Sequence, residues 1–463
     1  DPIGMSALMA AAFAAVVAAR LRSLPIAVGV SLLMGVVTDV IQKYLPPNSS
    51  FTAAIIPSIP FAFILLFLLF YVVRSGAVRE ERSGGGPLDL AIRPANDDPT
   101  VMAELASSRT GWDSALGAVP LVIVAAIPLF FHYVIGSDYW LGLAALGLWY
   151  AITMLTFTVV TGEGGMLWLS QIIFAGFGAL GAAQFVTEWH VPVLLATVMA
   201  ATIAAVVGAI IGWLTIRLGD LYVGLITFSF GLLIETLVFT RNRFLHGGLG
   251  LVLTPPKFAR GTMAFSYLAL AVFLVFAGLT WNMRRSTSGL ALRAVRDSET
   301  ASRMLGISVV QVKVIVGALA AFVAAVGGAF IAMDQQIAQP QYFATFAGLV
   351  WLAVVVTMGV RSINAAAIAG MSFALAPGVF QSYVPARWGE VPTMLFGLGA
   401  IGVARHPEGV VLQTARQIRS LLVHRHTLGA LPLAGDEVAR PLEGTIAQAG
   451  AAAGAAEPTR AAR

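Results

Sequence analysis

The chain has 463 residues, 58% of them hydrophobic and 11% charged, with 47 glycines, no cysteine and a formal net charge of +5. That much apolar surface exceeds what a soluble domain can hide, and the missing cysteines exclude disulfides, thiolate metal sites and a cysteine nucleophile. Continuous apolar runs, without the alternation of a membrane β-barrel, define an all-α, polytopic transmembrane helical bundle; its basic residues then mark membrane orientation and imply no nucleic acid.

In chain order the apolar runs predict crossings over 3–19, 24–41, 54–73, 115–135, 140–161, 167–186, 191–216, 220–240, 263–281, 312–333, 343–360, 363–380 and 390–404. The chain starts at Asp1 with neither an initiator Met nor a signal-peptide pattern, which reads as a processed or truncated start. Residues 74–114, including "RSGAVREERSGGGPLDLAIRPANDDPT", are charged and rich in Gly and Pro, the composition of a solvated linker. Residues 405–463 form a tail ending in the low-complexity "AQAGAAAGAAEPTRAAR".

Orientation follows from the basic residues. Placing the 282–311 loop in the cytoplasm puts Arg20, Arg22, the linker arginines, Arg217, Arg284, Arg285, Arg293, Arg296, Arg303, Lys313, Arg361 and Arg405 inside. Only Lys43, Arg241, Arg243, Lys257, Arg260 and Arg387 fall outside, the asymmetry that the positive-inside rule requires. Linker and tail are then cytoplasmic. "RSLPIAVGVSLLMGVVTDV" (22–40) and "RSINAAAIAGMSFALAPGV" (361–379) echo one another, each starting from an inner Arg-Ser, as in transporters built from parallel repeats.

The segment "SGLALRAVRDSETASRMLGI" (288–307) concentrates charge between two apolar runs. Asp297 is a candidate N-cap for a short helix, with Glu299 in its first turn and Arg303 four residues on. Gly306 suits the left-handed residue that stops the helix, and "SVVQ" (308–311) is a capping box opening the next crossing. Two readings fit: a solvated loop that satisfies the charge bias, or a surface helix fitting a groove on a cytoplasmic partner.

Residues 286–332 resemble the cytoplasmic loop and following helix of the branched-chain amino acid ABC permeases of LivM type, through Ser286, Gly289, Ala291, Leu292, Arg293, Ala294, Arg296, Glu299, Ala301, Leu305, Gly306 and Ile307. Leu290 departs, standing where that family usually has Arg. The likeness extends over roughly 112–412. In "YAITMLTFTVVTGEGGMLWLSQIIFAGFGALGA" (150–182), Gly162, Gly165, Phe174, Gly176, Gly178 and Ala179 match. Met166, Trp168, Ser170 and Gln171 replace the usual Gln, Ser, Gly and His. Residues 1–80 resemble the last part of the partner LivH-type permease. The resemblance thus divides the chain into the end of a truncated LivH-like half (1–73), a linker (74–114), a LivM-like permease domain (115–404) and the tail (405–463).

The resemblance implies a coupling surface for a separate ATPase at Gly289, Arg293, Arg296, Asp297, Glu299, Ala301, Arg303 and Gly306. The ATPase subunits would be LivG/LivF-like and would hold the ATP and Mg, with no cofactor on this chain; an extracellular solute-binding protein would deliver the substrate. The chain itself contains no phosphate-cradling G-x-x-x-x-G-K-[ST] segment and no nucleophile–base constellation, so it is not read as an enzyme.

For the substrate path the candidates are Gly162, Gly165, Ser170, Gln171 and Phe174, since glycines interrupt the apolar run there and broken helices at membrane depth line cavities. The alternative for 162–166 is a plain inner turn, in which Glu163 is solvated. Glu235 is an ionisable residue within a crossing, two turns from its outer end. Tyr222, Thr227 and Ser229 are candidates for bonds between helices, and Gly327 and Gly328 for close packing. Asp39 ends its crossing in solvent, and the scattered His132 and His190 suggest no metal site. The expected function is an ATP-driven importer permease for branched-chain amino acids or a related small polar solute. An ion-coupled transporter or channel, and a membrane scaffold, are the alternatives.

Overall fold

A computed structural model describes residues 23–45, 129–215, 220–245, 249–385 and 391–402, with isolated positions at 14–15, between 52 and 67, and at 126, 388 and 410. Nearly all of the expected crossing 3–19, most of 115–135, about half of 54–73, the linker and nearly all of the tail lie outside them. The described part is helical, in this order: α1 (Leu24–Tyr44), α2 (Asp138–Phe157), α3 (Gln171–Trp189), α4 (Val193–Leu214), α5 (Asp220–Ile234), α6 (Thr262–Arg285), α7 (Thr287–Asp297), α8 (Glu299–Met304), α9 (Val309–Asp334), α10 (Thr345–Met358), α11 (Ile363–Tyr383) and α12 (Val391–Gly402). Among the described residues one antiparallel pairing, β1 (Leu251–Val252) with β2 (Ile337–Ala338), joins the loop before α6 to the loop after α9.

Among the described residues seven helices are long and apolar enough to cross a membrane, and two shorter apolar ones accompany them, Val223–Phe239 and Thr345–Met358. α2 and α9 are apolar on every side and mostly buried, which places them at the centre. α4 and α6 turn rows of exposed Leu, Val, Ile and Trp outward, toward lipid.

Small residues set how closely the central helices approach. A Cβ at Gly178 would overlap the Ala325 carbonyl, and one at Gly328 would overlap the Ala175 carbonyl, so α3 and α9 cross with backbones touching at two reciprocal points. Gly327 packs on Thr153 of α2, and the Trp149 ring of α2 stacks on Phe330 of α9 at 4.2 Å. The expected close-packing role of Gly327 and Gly328 is what the contacts give.

At the inner surface the chain changes from helix to helix by serine caps. Ser286, Ser298, Ser308 and Ser362 each accept the backbone N–H three residues on, at 3.3, 3.3, 3.4 and 3.4 Å. The expected cap at Asp297 is therefore off by one. Ser298 has the extended backbone and the capping oxygen, whereas Asp297 closes α7 in helical conformation. The segment 288–307 also holds two helices where one was expected. α1 and α11 each have 21 residues and start just after an Arg-Ser pair, so the local part of the sequence echo holds.

Candidate functional site

α2 continues through a wide, π-helical stretch, Thr158–Glu163, and ends at Gly164 and Gly165. Gly165 adopts φ +64°, and a side chain there would strike Cγ of Arg296, so both backbone and packing require glycine. Just before it, Glu163 points into the protein. Its side chain is 8% exposed and pairs with Arg284 Nε at 2.9 Å and Arg293 Nε at 3.3 Å. The solvated Glu163 expected from sequence is thus corrected: the turn carries its carboxylate to where two guanidiniums converge, and burial leaves it no other counter-charge.

Further bonds close the group into a clamp. Arg296, itself buried, donates Nη1 to the Gly162 carbonyl at 3.1 Å and Nε to Asp297 at 3.0 Å. Arg293 Nη2 donates to the Arg284 carbonyl at 3.2 Å, and Arg284 Nη2 to the Arg361 carbonyl at 2.7 Å. The inner ends of α2 and α6, the helix α7 and the turn leading into α11 are therefore joined through one carboxylate and three arginines. Such charge-assisted bonds are strong and directional, and they tie α7 to the ends of the spans.

α8 is the outermost part of this surface. Glu299 accepts from Arg303 Nη2 at 3.3 Å, four residues along, and pairs with the buried Lys313 Nζ at 2.5 Å, which ties the tip to α9. Gly306 takes φ +79°, the expected left-handed stop. Beside it Met304 and Leu305 are 84% and 76% exposed. Two large apolar side chains are thus exposed at the end of a short, anchored helix.

The eight expected coupling residues divide accordingly. Gly289, against the Met283 carbonyl, and Arg293, Arg296 and Glu299 hold the element to the bundle. Asp297, Ala301, Arg303 and Gly306 are exposed. Met304 and Leu305 were absent from the expected set. Their signal was an apolar pair at the end of an otherwise polar helix.

Beyond Gly165 the chain runs without helix to Ser170, and α3 starts only at Gln171, four residues later than the expected crossing. This start is deep. Leu169 and Ile172 lie against Gly348, which is ten residues from the end of α10 at Met358, about 15 Å inward from the inner surface. α10 is itself too short for a full crossing, 14 residues or about 21 Å, where 343–360 was expected to span. A 3-10 turn at Pro340–Phe343 leads into it, and Glu235, at the start of a π-helical turn that extends α5, accepts the Thr345 N–H at 2.7 Å. Glu235 thus caps α10 from a neighbouring element.

The region is polar for its depth. Thr227 Oγ1 accepts the Leu169 N–H at 3.1 Å, the bond between elements expected for it, whereas Ser229 bonds only within its own helix. The Ser170 hydroxyl, both ends of the Gln171 amide, Trp168 Nε1 and the Thr345 hydroxyl are buried with no hydrogen-bond partner among the described residues. Each such group costs about 1–3 kcal/mol if left unpaired, so water, solute or a second arrangement of the helices must satisfy them in the working cycle. Phe174 lines the same region, 6.1 Å from Trp168 and 6.2 Å from Phe230. Of the five expected path residues, Gly162 and Gly165 sit at the inner clamp, and Ser170, Gln171 and Phe174 at the break. No cluster able to hold a metal occurs among the described residues.

A multi-pass bundle with a broken central helix and an anchored, apolar-tipped element on its inner face is the architecture of a solute permease moved by another subunit. The family described as branched-chain amino acid transport system / permease component matches residues 139–403, and the chain belongs to it. It is 25% identical over 308 residues to the high-affinity branched-chain amino acid transport system permease protein LivM of Salmonella typhimurium (strain LT2), covering 60% of this chain and 71% of that one. To the LivM protein of Escherichia coli (strain K12) it is 24% identical over 312 residues, with the same coverage. No solved structure matches the chain significantly. The chain is a multi-pass membrane protein and a permease subunit of an ABC importer, a family whose members work with ATPase and solute-binding partners.

Proposed function

We propose that the chain carries branched-chain amino acids, or a related small polar solute, across a bacterial plasma membrane, and that LivG/LivF-like ATPase subunits drive it from the cytoplasm. ATP and Mg are held by those subunits. An extracellular binding protein delivers solute to the outer ends of the helices. Residues 1–73 are the end of a LivH-like half, and residues 74–114 and 405–463 lie in the cytoplasm. The observation that carries this reading is the inner clamp: Glu163, Arg284, Arg293 and Arg296 connect an exposed apolar tip to the inner ends of the spans.

In operation the ATPase grips Met304 and Leu305, α7 moves with α8, and the arginines pass the movement to the turn at Gly162–Gly165. That turn continues directly into the non-helical stretch ending at Ser170. The inner surface and the mid-membrane break are thus two ends of one nine-residue strip of chain, Gly162 to Ser170, and a pull on the first reorganises the second.

Two results test this. Met304→Asp with Leu305→Asp places charge at the centre of the docking surface and is expected to weaken ATPase binding at least tenfold, as loss of a hot-spot pair does; co-purification with the ATPase subunits reads it. In vesicles holding the complete complex, Gln171→Leu is expected to cut ATP-driven uptake of L-leucine at least tenfold while ATP hydrolysis without solute stays within twofold. Uptake driven by a proton gradient without ATP would overturn the reading.

A further inference from the structure

We infer that the N-terminal part of the chain helps to shape the mid-membrane break: Ser58 holds the π-helical turn at Thr236, and Glu235, beside it on that turn, positions the start of α10. Glu235 is thereby a positioning residue, acting through α10. The inference rests on the reading of the break as part of the solute path. To the drive from the inner face it adds a second control from within the membrane.

α5 is prolonged by the π-helical turn Glu235–Phe239, and such wide turns are rare and concentrated at functional sites. Two adjacent residues of this turn reach different elements. Glu235 Oε2 accepts the Thr345 N–H of α10 at 2.7 Å. Since α10 runs 14 residues to its inner end at Met358, that bond lies about 20 Å in, within a hydrocarbon core of about 30 Å. A carboxylate at such a depth needs a partner, and a first-turn N–H of α10 with the helix dipole supplies one.

Thr236 is tied the other way. Its hydroxyl shares a hydrogen bond of 2.7 Å with the Ser58 hydroxyl and donates to the Leu232 carbonyl of its own helix at 2.8 Å. Residues 58–64 are helical, and Ser58, Ile59, Phe61 and Ile64 are buried. Ile59, Phe61 and Ile64 belong to the same apolar core as Phe239, the last residue of the π-helical turn. The contact is therefore an interior one, between segments 178 residues apart in the chain. A hydroxyl pair sealed from water at such a place fixes how the two segments meet.

From this turn the contacts lead to the break. Gly231, one turn before Glu235, is pressed against α10 and α3: a Cβ there would stand 2.8 Å from Thr345 Cγ2 and 3.2 Å from both Thr345 Oγ1 and Ile173 Cγ1. Phe239 covers Gly176 of α3, its ring 2.7 Å from where a Cβ would be. Ile173 and Gly176 lie within the two turns that follow Ser170 and Gln171. The Thr345 hydroxyl, fully buried and without a hydrogen-bond partner among the described residues, is one of the unsatisfied groups of the break, and Glu235 fixes the residue that carries it. Loss of the Ser58–Thr236 bond frees the turn, and the turn frees the start of α10.

The chain lacks cysteine, so introduced thiols report on these contacts without background. In the full chain in vesicles, Ser58→Cys with Thr236→Cys is expected to form an intrachain disulfide on oxidation with copper phenanthroline, read by mass spectrometry; no disulfide would overturn the contact. Thr345→Cys reports the start of α10. Its rate of modification by a methanethiosulfonate reagent is expected to rise at least fivefold with Thr236→Val or Ser58→Ala. With both it should rise no further, since both delete one bond, and with Thr236→Ser it should stay within twofold. Unchanged rates in the two single variants, or additive rises, would overturn the inference. In the complete complex, L-leucine uptake per ATP is expected to fall at least fivefold with Thr236→Val. A faster thiol at 345 with normal uptake would retain the positioning of α10 and remove the break from the solute path.

Discussion

Glu163→Gln is expected to uncouple ATP hydrolysis from transport, with uptake per ATP falling more than tenfold in vesicles that hold the complete complex. Glutamine keeps the shape of the side chain, so the substitution removes charge and little else. Two guanidiniums, Arg284 and Arg293, then share a site with no carboxylate between them. Removing one partner of a buried ion pair costs about 3–5 kcal/mol. Solvent screens the Arg293 side, 41% exposed, and that arm contributes only about 1 kcal/mol or less. The Arg284 arm, at 17% exposure, dominates. Adding Arg293→Gln relieves the repulsion, so the double variant should lose less stability than the two single losses combined. Thermal unfolding in detergent reads that difference, and uptake per ATP reads the coupling. A Glu163→Gln complex with normal stoichiometry would show that α7 drives the bundle by another route.

Gly328→Val is expected to prevent assembly of the bundle altogether. The first added carbon already overlaps the Ala175 carbonyl, and the reciprocal contact of Gly178 with Ala325 prevents α3 and α9 from separating at one point alone. Overpacking a yielding core costs about 1–3 kcal/mol, and a clash with backbone on both sides exceeds that range. Loss of the monodisperse peak in size-exclusion chromatography is the expected readout. Gly278→Val on α6 is the control, because a Cβ there meets nothing within 4 Å; it should purify like the wild type.

The sequence was most legible where structure is local. The left-handed Gly306, the Glu299–Arg303 pair and the Ser308 cap each depend on residues three or four apart, and each formed as expected. The cap of α8 was misplaced by one because Asp297 and Ser298 are both good caps, and the choice depends on Arg296 engaging the Asp297 carboxylate. Hydropathy fails where helix and extended chain are equally apolar: Leu167, Trp168 and Leu169 read as the start of a crossing but lie in the non-helical strip below α3. The same ambiguity hid the short α10. The clamp lay beyond sequence reasoning, since Glu163 and Arg293 are 130 residues apart and only the fold brings them together.

One measurement addresses the docking tip itself. The chain contains no cysteine, so Met304→Cys creates a single reactive thiol at the most exposed apolar position of α8. Its rate of modification by a membrane-impermeant maleimide is compared in inside-out vesicles with and without the ATPase subunits, beside Trp213→Cys on the lipid-facing side of α4. The expected result is at least tenfold protection of Cys at 304 by the ATPase and none at 213. Equal modification of the thiol at 304 in both preparations would mean that the ATPase does not seat on this tip.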